Sequence, residues 1–222
     1  YGTTVKVHKM ADVEILKSKF EYLARKFNIK IRVLVHKTNE PAGRGIGPIL
    51  ETREAIRVLQ QKNNRPLDLE IRSINLAGNL LEICLNDSPK QLKEYVRNNF
   101  GNCFGWATHI LKNGLAFKKM QEIIQAQEGN PNIDSEDLKP GKFSFKLLAE
   151  KSSVIKSINS FNITTIARLL GAPEQKGGGI YLEKKLGDKV EKNKVICTLF
   201  SEDERKLQEA KDQLPSLKMF KL

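Results

Sequence analysis

The ten residues 39–48, Asn-Glu-Pro-Ala-Gly-Arg-Gly-Ile-Gly-Pro, connect a β-rich run to an amphipathic segment. The glycines allow a tight turn and a close approach to a ligand, and Pro48 suits the first position of a helix. Because helix N-termini attract anions, the sequence predicts that free amides of Gly45 and Gly47 face a phosphate or a polar nucleoside. The alternative interpretation is that the loop only connects a strand to a helix and needs glycines in order to turn.

The segments around this loop predict an α/β arrangement. Apolar residues at spacings of three and four predict a helix over 12–27, and the β-branched residues of 29–35 predict the clearest strand. A shorter strand is predicted over 5–7, and a helix is predicted from Pro48 onward. Ligands of α/β folds bind at the carboxyl ends of strands, so the loop lies where a site is expected.

The remainder of the first part predicts helices. Apolar spacing predicts a long helix over 67–85, in which Gly78 costs roughly 1 kcal/mol of helix propensity relative to alanine. Close packing against another element would explain this glycine. Further helices are predicted over 89–127 with a break at residues 113–114, and the polar stretch 132–141 is typical of a linker.

After residue 141 the pattern changes to short alternating segments. Strands are predicted near 143–147, 154–158 and 195–200, with short helices over 163–170 and around 207–210. The chain is therefore predicted to divide into two domains. Residues 1–139 form an incomplete, helix-rich α/β part, and residues 140–222 form a small α+β domain of barrel-sandwich or hammerhead-like form.

The composition bounds the class of protein and its partners. The 222 residues are 40% hydrophobic and 29% charged, which is typical of a soluble globular protein. The net charge of +12 attracts phosphates or nucleic acid, but the basic residues are scattered without interleaved aromatics, which favours a solvated surface. Three distant cysteines without a CxxC pair argue against a metal site and fit a reducing cytoplasm.

Several runs at matching spacing resemble the thymidine and pyrimidine-nucleoside phosphorylases. They lie in residues 41–55 (Pro-Ala-Gly-Arg-Gly-Ile-Gly-Pro and onward), 76–78 (Leu-Ala-Gly), 113–129 (Asn-Gly-Leu-Ala-Phe and onward) and 166–190 (Ile-Ala-Arg-Leu-Leu-Gly-Ala-Pro and onward). The resemblance covers essentially the whole chain and only the carboxyl half of such a phosphorylase. The Gly-Ile-Gly-Pro run resembles most the AMP phosphorylase-like branch.

The resemblance implies an enzyme that cleaves the N-glycosidic bond of a pyrimidine nucleoside, with inorganic phosphate as co-substrate and no cofactor. The expected partners are the nucleoside and phosphate, in an intact protein that is a homodimer. Neither nucleic acid nor a membrane is expected as a partner. The family's phosphate-binding loop and base contacts would lie upstream of Tyr1, so the chain is expected to be a fragment that is inactive alone.

Five residues are candidates for substrate binding. Thr3 matches the segment just beyond the family's last base-contacting residue, so the resemblance places it in the cleft. Arg44, Gly45 and Gly47 are expected to hold or orient the ligand from the glycine loop. Arg72 lies near the position where the AMP phosphorylase-like branch uses a lysine for ligand binding. No metal site is predicted.

His36 and Lys37 are the candidates for catalysis. His36 lies beside the loop, and histidine titrates near neutral pH, which suits a general base. Lys37 stands about where AMP phosphorylase-like members have a catalytic Asp, and a lysine replaces it as a proton carrier only if burial lowers its pKa. The prediction is therefore thymidine phosphorylase-like activity, with AMP phosphorylase or a basic nucleic-acid-binding module as alternatives. Glu51 and Glu54 suit the helix dipole and are interpreted as structural.

Overall fold

The computed structural model describes residues 1–2 and 5–222, and the chain divides into two units. The loop–sheet unit comprises Tyr1–His8, Lys37–Ala55 and Asp134–Leu222, and the helical unit comprises Lys9–His36 and Ile56–Ile133. Helices occur together with small antiparallel sheets, so the mixed helix-and-sheet class is confirmed. The domain boundary between residues 139 and 140 stays a prediction.

The helical unit is built from amphipathic helices that agree with the apolar spacing of the sequence. α5 packs against α3, α4 and α6, and no helix in the described part of the chain is long and apolar enough to cross a membrane. The predicted break at residues 113–114 is confirmed. The helices are α1 (Met10–Lys26), α2 (Pro48–Leu59, which begins in the loop–sheet unit), α3 (Leu67–Asn86), α4 (Lys90–Phe100), α5 (Cys103–Lys112) and α6 (Leu115–Ala126).

Gly78 lies where α3 contacts α5. The residue is buried, and a Cβ atom built on it would come within 2.4 Å of the aromatic ring of Phe104 in α5. A side chain at this position would therefore push the two helices apart. This close helix-to-helix contact confirms the expected reason for a glycine in the middle of a long helix.

The Gly78→Ala variant is expected to destabilise the helical unit although alanine is the better helix former. Overpacking against Phe104 costs about 1–3 kcal/mol, whereas alanine recovers about 1 kcal/mol of helix propensity. Urea unfolding followed by circular dichroism measures the difference. Adding Phe104→Leu should recover part of the loss, and a single variant more stable than the wild type would contradict the packing explanation.

Two predicted strands do not form among the described residues. Residues 29–35 and residues 5–7 lie outside any strand, so both predictions are wrong. A strand is stable only when its backbone groups pair with a neighbouring strand, and the described chain offers no such neighbour to either segment. The side chains of Ile29 and Ile31 are accordingly 62% and 43% exposed.

The loop–sheet unit contains every strand of the described residues. The elements predicted after residue 141 form there, except that the strand predicted over 154–158 divides into two short strands, Ser153–Val154 and Ser157–Ile158, which pair with different partners. Its main sheet is antiparallel with the strand order β1-β5-β7-β2, and two small pairs, β3–β6 and β4–β8, accompany it. The elements are β1 (Gly45–Ile46), β2 (Phe143–Leu148), β3 (Ser153–Val154), β4 (Ser157–Ile158), α7 (Ser160–Leu169), β5 (Gly179–Leu182), β6 (Lys189–Val190), β7 (Val195–Ser201), α8 (Glu204–Gln213) and β8 (Phe220–Lys221).

An apolar core fills the space where α7 and α8 pack on the main sheet. Alternate residues of β5 and β7 supply much of it, and Ile46 of β1 packs against its edge. Burial of these side chains is the main driving force for forming the unit. The loop that opens α2 thus contributes to the same core as the C-terminal strands. Fully buried members include Ile166, Leu170, Ile180, Leu182 and Leu199.

Candidate functional site

The glycine loop, residues 39–47, supplies an edge strand of the main sheet. Gly45 and Ile46 form β1 and pair antiparallel with β5. A Cβ atom on Gly47, whose φ angle is +117°, would lie 2.3 Å from the carbonyl oxygen of Gly178. Only glycine permits this backbone conformation and this approach together, so the loop glycines are needed for docking onto the sheet.

The amides of the glycine loop bind carboxylates of α2. Those of Arg44 and Gly45 donate to Glu54 at 2.9 and 3.0 Å, and that of Gly47 donates to Glu51 at 3.0 Å. The expectation that the amides of Gly45 and Gly47 are free for an anion is therefore wrong. Acids in the first turns of the helix reach back to the preceding backbone, much as in a capping box, which confirms their structural interpretation.

The other side of the loop binds the connecting segment, residues 182–186, which begins at the last residue of β5. The guanidinium of Arg44 donates to two carbonyl oxygens of this segment, at 2.8 and 3.0 Å. In return, Nζ of Lys185 donates to the carbonyl oxygens of Pro41 and Gly43 at 2.5 and 2.6 Å. The two cations thus fasten the loop and the connecting segment to each other.

Glu183 is a partly buried carboxylate in the connecting segment. Its Oε1 accepts a hydrogen bond from Thr198 at 2.5 Å, while its buried Oε2 accepts none from the residues that the structure describes. Burial raises the pKa of Glu183 above its ordinary value of 4.5, and the Thr198 hydroxyl and the charges of Lys146 and Arg44 oppose this rise. The carboxyl therefore keeps its proton to a higher pH than an exposed glutamate.

Glu183 is expected to make the loop–sheet unit less stable as the pH rises. Its raised pKa favours the protonated form in the folded state, so this contribution is complete below 4.5 and is lost as the pH rises through the folded value. In Glu183→Gln the loss should be absent. Urea unfolding should therefore show the variant gaining stability relative to the wild type between about pH 4 and about pH 7.

Thr198→Val is the companion variant for this measurement. It removes the hydroxyl that favours the ionised form of Glu183, so the loss of stability with rising pH should become larger than in the wild type. A difference between Glu183→Gln and the wild type that stays the same at every pH would contradict the assignment.

The structure places the candidate site residues in both units. Lys37, Arg44, Gly45 and Gly47 lie in the loop–sheet unit, His36 and Arg72 lie in the helical unit, and Thr3 lies outside the described residues. His36, Lys37 and Arg72 are exposed, whereas both glycines are buried. Their roles in binding or catalysis stay predictions.

The first residues of the chain lie against the start of the glycine loop. The amide of Thr38 donates to the carbonyl of Tyr1 at 2.7 Å. A Cβ atom on the buried Gly2 would lie 2.0 Å from the carbonyl oxygen of Thr38, so these two backbones touch. The segment that leads into Thr3 therefore belongs to the same neighbourhood as the loop.

The sequence did not predict that Lys185 contacts the glycine loop. Nothing in the run Glu-Lys-Lys at residues 183–185 distinguishes it from the lysine before it. One readable signal was the second glycine run, residues 177–179, because two glycine-rich segments in one chain can pack backbone against backbone. The structure shows this contact between Gly47 and Gly178.

Residues 154–217 match the family model described as the pyrimidine nucleoside phosphorylase C-terminal domain. The matched span includes β5, with which the glycine loop pairs, and both helices of the core. The chain therefore carries a C-terminal region of the pyrimidine nucleoside phosphorylase family. The resemblance drawn from the sequence motifs is confirmed.

Similarity to full-length relatives extends over most of the chain. A protein from Methylococcus capsulatus named "Putative thymidine phosphorylase" is 36% identical over 201 residues, which is 90% of this chain and 36% of the relative. An "AMP phosphorylase" from Hyperthermus butylicus is 34% identical over 209 residues, which is 94% of this chain and 39% of the relative. The chain thus spans little more than a third of the length of these relatives.

Proposed function

We propose that the chain is the C-terminal part of a nucleoside phosphorylase with thymidine phosphorylase-like activity. One observation carries the proposal. The glycine loop, which bears the most characteristic of the similar motifs, supplies the strand β1, and β1 pairs with β5 inside the residues that match the family's C-terminal domain. Two parts of the sequence separated by more than a hundred residues therefore build one unit, as a shared role in one site requires.

In this reaction an oxygen of inorganic phosphate bonds to the anomeric carbon while the glycosidic C–N bond breaks. The base leaves with the bonding electron pair and takes up a proton, and the sugar becomes a (deoxy)ribose 1-phosphate. Catalysis of this kind depends on positioning and on stabilising the developing charge. Because the loop amides are bound to carboxylates, the loop is proposed as a rigid wall of the nucleoside cleft, with phosphate held by residues upstream of this chain.

The test is phosphate-dependent release of free base by the longer polypeptide that carries these residues. Thymidine, uridine, AMP and CMP serve as substrates, and release should require phosphate. The 222-residue chain alone is the matched control and should release no base. Failure of the longer protein to consume any of the four substrates would contradict the proposed function, and turnover by the chain alone would contradict the upstream position of the phosphate site.

AMP phosphorylase activity is the second candidate because relatives of that name match almost as well. The Hyperthermus butylicus and Methanosarcina acetivorans proteins of that name are each 34% identical to the chain, against 36% for the Methylococcus capsulatus relative. The substrate panel separates the two activities, since a preference for AMP over thymidine would establish this alternative. A nucleic-acid-binding module would instead show salt-dependent retention on DNA and no phosphorolysis.

Finer assignments accompany the proposal. Residues 1–139 are proposed as the latter part of the α/β phosphorylase domain, and residues 140–222 as a barrel-sandwich or hammerhead-like domain. The intact enzyme is proposed to be a cytoplasmic homodimer that needs phosphate and no cofactor. The three cysteines of the 222-residue chain are unpaired in the structure, which supports a reducing compartment. Sedimentation of the longer protein measures its oligomeric state.

A further inference from the structure

Lys185 reaches out of the connecting segment and ends among backbone oxygens of the glycine loop. Its Nζ donates to the carbonyls of Pro41 and Gly43, and the carboxylate of Glu40 lies 3.8 Å away. That carboxylate also accepts a hydrogen bond at 2.9 Å from the amide of Leu186. Only 13% of the Lys185 side chain is exposed, so water competes little for these contacts.

The loop is held from two directions by these interactions. The carboxylates of Glu51 and Glu54 bind its amides from α2, and Lys185 binds its carbonyls from the connecting segment. A backbone fixed through both its donors and its acceptors has little freedom to rearrange. The conformation of residues 40–44 therefore depends in part on a side chain that lies more than a hundred positions later in the chain.

The neighbouring lysine shows that this reach is particular to Lys185. Nζ of Lys184 donates to the carbonyl oxygen of Lys189 at 2.9 Å, which lies in β6 and away from the loop in sequence. The two lysines are adjacent, alike in chemistry and both bonded to backbone carbonyls. They differ in whether the carbonyl belongs to the loop, which makes Lys184 a matched control.

We propose that Lys185 is a positioning residue that sets the glycine loop for nucleoside binding in phosphorolysis. This rests on the proposed function, in which the loop is a wall of the nucleoside cleft. In this role Lys185 acts through the loop carbonyls that it binds rather than as a ligand of the nucleoside or phosphate. Its removal should weaken nucleoside binding because geometry around a substrate must hold to fractions of an ångström.

The first experiment measures the loop itself, by hydrogen exchange of peptides covering residues 41–47 in the 222-residue chain. Lys185→Met should speed this exchange at least about tenfold. The substitution removes the hydrogen bonds from Nζ to the loop carbonyls, so the loop should open more often. Lys184→Met should leave the exchange of these peptides unchanged, and exchange in β7 should stay slow in both variants. Equal exchange in Lys185→Met and the wild type would overturn the proposal.

The second experiment measures steady-state kinetics in the longer protein. Lys185→Met should raise the KM for the nucleoside about 10- to 100-fold with a smaller change in kcat and an unchanged KM for phosphate. Lys185→Arg, which keeps a cationic donor, should recover part of the affinity. A role in stability alone would reduce the amount of active enzyme and leave both KM values unchanged, and that result would overturn the proposal while the proposed function stands. A wild-type protein without phosphorolysis would overturn both.

Discussion

Glu54→Ala is expected to lower the unfolding free energy of the loop–sheet unit by about 2–5 kcal/mol. Glu54 is 2% exposed, and its carboxylate accepts hydrogen bonds from the amides of Arg44 and Gly45. Its removal leaves both amides without that acceptor, and each unsatisfied buried donor costs about 1–3 kcal/mol. Urea unfolding measures the loss, and hydrogen exchange in β1 and β5 shows whether the loop leaves the sheet.

Two variants bracket this effect. Glu54→Gln keeps one oxygen acceptor and should lose about half as much. Glu51→Ala removes an exposed acid that caps only the amide of Gly47, so it should cost about 1 kcal/mol, the usual value for a lost helix cap. Equal losses for Glu51→Ala and Glu54→Ala would contradict the view that burial makes Glu54 the principal anion of the loop.

Gly47→Ala is expected to destabilise the same unit by about 2–6 kcal/mol, by two additive effects. The φ angle of +117° strains any residue with a Cβ atom, at about 1–3 kcal/mol. That Cβ atom would also lie 2.3 Å from the carbonyl oxygen of Gly178, and relieving such overpacking costs about 1–3 kcal/mol. The variant should therefore separate β1 from β5, which hydrogen exchange of residues 179–182 would detect.

Gly187→Ala separates the two effects. Gly187 also has a positive φ angle, +86°, but a Cβ atom there would have no neighbour within 4 Å among the described residues. It should therefore cost only the backbone strain, about 1–2 kcal/mol. If the two alanine variants prove equally unstable, close approach to Gly178 is not what requires glycine at position 47.

Glu54→Ala and Gly47→Ala are expected to affect function as well as stability. In the longer protein, displacement of the loop from the sheet should reduce nucleoside affinity, since the loop is proposed as a wall of the cleft. The interactions that hold the loop are distributed between α2 and the connecting segment. A substitution in α2 and a substitution in the connecting segment therefore both test whether the position of the loop matters for nucleoside binding.

The local pattern of the sequence was sufficient for most helices. Apolar spacing determines which face of a helix is buried, and it located α1, α3 and the break before α6. Gly78 could also be interpreted from sequence, because a glycine that weakens a long helix needs a packing reason. These are properties of residues a few positions apart, which is the range over which a helix makes its hydrogen bonds.

Strands were predicted less well because pairing is not a local property. The β-branched run 29–35 has the composition of a strand, yet it has no neighbour in the described chain. Conversely, β1 is only two residues long and lies within a glycine-rich loop. Side-chain preferences predict neither the absence of a strand at 29–35 nor the presence of β1, because a strand depends on the segment that lies beside it.

For the candidate site, the sequence by itself indicated the family, suggested the chemistry to be tested and singled out the loop at 39–48 as a candidate. It also showed that glycines are needed there and that acids in the following turns suit the helix. Only the tertiary structure decided what those features bind. The glycines admit the backbone of β5, the amides bind Glu51 and Glu54, and Lys185 binds the loop carbonyls. The physical reason is that hydrogen bonds and close contacts depend on distances in space, and folding brings together residues more than a hundred positions apart.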